Sequence, residues 1–153
     1  MKELREEGLK QYEEFRKKYD WPAMAEFEEE FECRIQAPVI ANAMSILLDR
    51  VGQCVGHIEI IFQPTRMADA IESKFHTDKE KTELFSFYKE ALALIHEAHL
   101  AAFQDRNKRG EMVRKTYDFY IKKAKPVMQK YLEVHVKGWQ KKEKAEDYKT
   151  YFG

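Results

Sequence analysis

The sequence predicts an all-α fold, an antiparallel bundle of four to five long helices, and three observations carry that expectation. Apolar residues recur every three to four positions through most of the chain, the spacing that lines one face of a helix. Six glycines and four prolines over 153 residues leave room for few turns, which favours a small number of long elements. No stretch alternates apolar and polar with the period of two that a half-buried strand requires, and no internal repeat is visible.

Taken in order, residues 2–19 form a covering helix with Leu4, Gly8, Tyr12, Phe15 and Tyr19 on one narrow stripe and charge elsewhere. Asp20-Trp21-Pro22 reads as a turn and restart, because proline suits a first helical turn and an Asp carboxylate accepts from a free amide there. A second helix follows with Met24, Phe27, Phe31 and Ile35 inward and Glu26, Glu28, Glu29, Glu30 and Glu32 outward, and Pro38 kinks or ends it.

Residues 38–63 are the most apolar part of the chain. Ile40, Met44, Leu47, Val51, Cys54, Val55, Ile58 and Phe62 share one stripe. The opposite side carries Asn42, Ser45, Asp49, Gln53 and His57, with Gly52 and Gly56 leaving a smooth strip for close approach of another backbone. The uncharged run, Ile35–Leu48, is 14 residues, short of the roughly 18 that cross a bilayer.

Pro64 marks a second bend, followed by a short helix. Thr77 with Glu80 is a capping box that starts a long helix over residues 78–106, with Leu84, Phe87, Tyr88, Ala91, Ile95, Ala98, His99 and Ala102 inward and Phe85, Leu92, His96 and Phe103 widening that stripe. Asn107-Lys108-Arg109-Gly110 reads as a loop ending in glycine. A last helix, bent at Pro126, spans residues 111–142 and turns Val113, Tyr117, Tyr120, Ile121, Ala124, Met128, Tyr131, His135 and Trp139 inward. The remaining tail, residues 143–153, is expected to fray.

Composition bounds the function. At 44% hydrophobic and 35% charged the chain is a single globular domain by the length prior, residues 1–153, and not a disordered one. Lys and Arg total 27 and so do Asp and Glu, so net charge points neither to nucleic acid nor to an anionic membrane. The balance is uneven along the chain: residues 1–32 hold 6 basic and 11 acidic side chains, net −5, and residues 111–144 hold 10 basic and 4 acidic, net +6. These segments attract, within one molecule or across a homodimer. Two cysteines, Cys33 and Cys54, are too few for a disulfide scaffold, and the charged N-terminus has no signal core; a reducing, cytoplasmic location is expected.

Cys54 with His57, and His96 with His99, are pairs of metal-ligating residue types three apart on helices, so each pair shares a face. If the two pairs lie level they form a four-ligand metal site for zinc or iron. Arg50 and His57 have a spacing similar to that of HEPN-type ribonucleases, in which such a pair serves proton transfer and phosphate stabilisation. Glu29-x-x-Glu32 with Asp69-x-x-Glu72 resembles the paired acidic motifs by which all-α nucleotide pyrophosphohydrolases hold Mg²⁺. Tyr117 and Tyr120, near the polar row Asn42, Asp49, Gln53 and His57, would line a ligand pocket between helices. No Gly-rich phosphate loop, catalytic triad or dinucleotide fingerprint occurs. The sequence reading is a non-catalytic binding or assembly module, homodimeric, using the Gly52/Gly56 strip or the oppositely charged faces. A Cys/His metalloprotein is its first alternative, and a Mg²⁺-dependent pyrophosphohydrolase-like or RNA-processing protein its second.

Overall fold

Spacing of apolar residues at three and four, with three of the four prolines outside the helices, folds the chain into helices throughout. The computed structural model describes residues 2–141, and all regular structure among them is helical. The elements are α1 (Lys2–Tyr19), α2 (Met24–Phe31), α3 (Val39–Phe62), α4 (Met67–Phe75), α5 (Asp78–Ala102), α6 (Arg106–Phe119), a π turn (Tyr120–Ala124) and α7 (Lys125–Gln140). Because α6, the π turn and α7 run on without interruption, the described residues make six continuous helices. Four are long, α1, α3, α5 and the run from α6 to α7, and two are short, α2 and α4, the latter being the short helix that the sequence predicts after Pro64.

The central stretch is the axis of the core. Leu47, Val51 and Ile58 of α3 have no exposed surface and Val39 almost none, and α3 packs against α5, α6 and the π turn. Phe62 against Phe85 and the Tyr88 hydroxyl on Glu59 set an antiparallel register between α3 and α5. α1 lies across α6 and α3, and α4 bridges α3 to α7.

Prolines act at helix ends more than inside helices. Pro38, joined to Ala37 by a cis peptide bond, sits at the N-cap of α3. The second helix has already stopped: Glu32 adopts a left-handed conformation, φ 48°, and its amide returns to Glu28 and Glu29, the geometry that terminates a helix. Ile35 is nonetheless fully buried, from irregular backbone. α3 ends at Phe62, before Pro64. Pro126 lies inside a helix, and the chain meets it with a π turn: Lys125 N–H reaches back five residues to the Tyr120 carbonyl. Proline has no N–H for the usual bond to Lys122, and one wide turn redistributes the neighbouring ones.

The expected loop at Asn107–Gly110 is helical. Asp105 caps α6 by accepting from Lys108 N–H at 2.8 Å, so the turn falls at residues 103–105. Gly110 is a packing glycine there: a Cβ would stand 2.3 Å from the Tyr19 ring, and Trp21 Nε1 donates to the Gly110 carbonyl at 2.8 Å. The expected stripe of α5 is rotated as well. Leu84, Phe87, Ala91, Leu94, Ala98 and Ala101 face the core, while Phe85, His96, His99, Ala102 and Phe103 are exposed. The acidic N-terminal and basic C-terminal segments meet within one molecule, through Arg114 with Asp20 and Lys125 with Glu30.

Candidate functional site

Two regions combine chemistry with access. The first is the outer face of α3 and α5. A Cβ built on Gly52 or Gly56 meets no atom within 4 Å, so this strip serves no packing purpose among the described residues. The α3/α5 register continues from the Phe62–Phe85 contact and sets Leu92 and Ile95, both half-buried, beside the glycines. Phe62 and Phe85 stay 43% and 48% exposed, and Phe103 89%. Asp49 and Glu59 edge this face on α3, and Lys89, His96 and His99 edge it on α5; all five are exposed.

The second region lies where α4 and the start of α5 meet α7. His76 caps the C-terminus of α4, immediately before the Thr77/Glu80 capping box, and His135 projects from α7. Both rings are buried, 6% and 8% exposed. Their Nε2 atoms are 2.8 Å apart, and Glu72 Oε2 lies 3.1 Å from His135 Nδ1. The same carboxylate oxygen accepts from Trp139 Nε1 at 3.0 Å. Tyr131 stacks on His76, rings 5.2 Å apart and 20° from parallel, and donates its hydroxyl to the His57 carbonyl at 2.8 Å.

The bond partners dictate the protons. A carboxylate can only accept, so His135 carries its hydrogen on Nδ1 and offers a lone pair at Nε2; His76 must then donate from Nε2, leaving its own Nδ1 as a bare acceptor. Thr116 Oγ1 is the one fully buried side-chain nitrogen or oxygen without a partner among the described residues. His76 Nδ1 makes no hydrogen bond among them and is a spare acceptor. Burial is the main force lowering the pKa of both histidines; each also feels a nearby histidine, while Glu72 opposes the shift. Burial also carries the Tyr131 phenol far above its ordinary value, so it remains a donor. Beside His76 opens a pocket of about 60 Å³ lined by Glu80, Glu83, Leu84, Val127, Lys130, Tyr131 and Val134, room for a few waters or one small molecule.

The residues singled out from the sequence are placed as follows. Cys54 is buried in the core, where burial raises its thiol pKa, while His57, His96 and His99 are exposed. His57 turns toward Tyr131 of α7, ring centroids 6.3 Å apart, whereas the α3/α5 register sets it level with Glu90, six and nine residues from the other two histidines. That is on the order of 10 Å along the axis. No group of three or more His, Cys, Asp or Glu side chains among the described residues converges enough to hold a metal ion. Asn42 Oδ1 accepts from Gln36 N–H, and Asp49 and Gln53 are exposed. Tyr117 and Tyr120 instead join Phe27 and Phe31 in an aromatic cluster. Arg50 is held over the Phe31 ring and donates to the Phe31 carbonyl, away from His57. Asp69 accepts from Arg66 N–H and Glu72 is engaged as described, and neither reaches Glu29 or Glu32 in any contact described.

Glu72 and His76 stand four residues apart at the end of α4, but His135 comes from α7, 59 residues beyond His76, so local spacing does not bring the three together. One signal was available: His135 shares the inner stripe of its helix with Tyr131, four residues before it, and a histidine facing inward needs a partner. Comparison with protein-family models, curated proteins and solved structures finds no match for this chain. No helix among the described residues is long and apolar enough to cross a membrane.

Proposed function

We propose that this chain is a non-catalytic helical-bundle module that self-associates through the outer face of α3 and α5. The observation that supports this is the open Gly52/Gly56 strip flanked by exposed Phe62 and Phe85: glycine in mid-helix costs stability, and here no neighbour among the described residues uses the space. Contiguous apolar surface of this kind marks interaction sites. A second copy suits it by charge. A twofold operation brings the Asp49/Glu59 margin of one copy against the Lys89/His96/His99 margin of the other, an isologous contact in which every pairing occurs twice. The oppositely charged termini are already paired internally through Arg114 and Lys125, which leaves this face as the stronger candidate.

Light scattering over a wide concentration range tests the proposal. A mass rising toward twice 18.3 kDa is expected, and Gly52→Arg, whose Cβ meets nothing within 4 Å among the described residues, is expected to return it to the monomer with unchanged helicity. A monomer at every concentration would refute self-association.

A further inference from the structure

We propose that the pocket beside His76 is a binding site for a small primary alkylammonium group, with the Glu72–His135–His76 chain making binding proton-linked. This site shares no residue with the α3/α5 face and stands independently of the assembly reading.

An ammonium group has three N–H donors and one positive charge. Three of the residues that line the pocket carry acceptors: His76 at Nδ1, Glu80, and Glu83, whose carboxylate is shared with Lys130. One oxygen of Glu80 is committed to the Thr77 amide at 3.1 Å, and its second remains. Leu84, Val127 and Val134 supply an apolar sleeve for an alkyl stem, as small-ligand sites commonly do. Lys130 Nζ stands 3.6 Å from Glu83, so the rim already holds an ammonium against one of these carboxylates. With Glu80 and Glu83 against Lys130, the charged lining is net negative and disfavours an anion. The volume, about 60 Å³, suits a short alkyl stem.

The relay sets when Nδ1 accepts. In the neutral pair His135 and Glu72 fix His76 as a donor at Nε2 and an acceptor at Nδ1. Adding one proton reverses the sense: whichever ring takes it, Nδ1 of His76 becomes an N–H and the pair becomes cationic. An ammonium is then repelled. The groups facing the pair are Glu72 and Asp69 of α4, Glu80, Lys81 and Glu83 of α5, His57 of α3, and Lys130 and Tyr131 of α7. Of the three carboxylates nearest the pocket and the pair, Glu72 is spent on His135 and Trp139; Glu80 and Glu83 face the ligand.

The test is a titration of the full chain with n-propylammonium chloride, followed by the NMR shifts of His76 and Tyr131, at about pH 8 and again near pH 5.5. Alkylammonium groups keep their charge at both, having pKa values near ~10.4 like lysine. The expected result at the higher pH is saturable binding with a dissociation constant on the order of millimolar, fitting a ligand of about four heavy atoms. Tetramethylammonium, which has no N–H, and acetate are expected to give no saturable shift. Binding should weaken at the lower pH, by less than about tenfold because burial holds both histidines below the ordinary value of about 6.5, and Glu83→Gln, an exposed position, should weaken it roughly tenfold. No saturation by propylammonium, saturation by acetate, or an affinity equal at the two pH values overturns the proposal.

Discussion

Replacing Gly52 and Gly56 by alanine tests the open face most directly. Both lie inside a 24-residue helix, and an added Cβ meets nothing within 4 Å, so neither a clash nor a new contact enters the account. What remains is the backbone term, about 0.8–1.0 kcal/mol per glycine relative to alanine in a helix interior. With no shared partner the two add to about 1.5–2 kcal/mol, which for a chain of this length raises the melting temperature by roughly 3–8 °C. Urea denaturation at low protein concentration measures it as a higher midpoint at unchanged slope. Light scattering on the same double variant is expected to show weaker self-association, because two methyl groups hold the facing backbones apart. Gly138→Ala is the control of opposite sign: its Cβ would lie 2.3 Å from the Phe75 ring, and displacing that ring costs about 1–3 kcal/mol. A lower midpoint for the Gly52/Gly56 variant under dilute conditions would refute the assignment of an open strip.

Acid should act first on the histidine pair. Burial lowers both pKa values, so the unfolded chain binds protons that the native state refuses. Stability contributed by these groups is complete above the unfolded value of about 6.5 and is lost as pH falls below it toward the depressed native values, at up to about 1.4 kcal/mol per pH unit for each histidine. Denaturation midpoints between about pH 7 and pH 5 check this, and His135→Gln should flatten the slope; a wild-type stability independent of pH over that range would contradict it. Thr116→Val should be neutral or stabilising by about 1 kcal/mol, since the hydroxyl is fully buried without a partner among the described residues. A loss above ~1 kcal/mol on denaturation would show that the oxygen has one.

Local pattern determined much of the helical layout. The bounds of α1, the capping-box start of α5 and the core stripe of α3 from Ile40 to Ile58 are as spacing and caps predict, because these depend on residues within a turn or two of one another. Where several local choices were nearly equal, packing decided. Asn107–Gly110 has the composition of a loop, yet α6 continues through it, because Tyr19 and Trp21 of distant segments fit over a bare Gly110. α5 could bury either of two adjacent apolar stripes, and its register against α3 left Phe85 and Phe103 outside.

Site chemistry divides the same way. The sequence by itself showed that one side of the central helix carries Gly52, Gly56, Asp49 and Gln53, groups that a core does not require. Only the tertiary structure decided that this side stays open, that Cys54 and His57 lie away from His96 and His99, and that Glu72, His76 and His135 come into line. A pair three residues apart on a helix is held together by the helix itself. A carboxylate and an imidazole at the end of α4 meet an imidazole and a phenol of α7 only once α4 has crossed from the end of α3 to α7, and no spacing along the chain encodes that crossing.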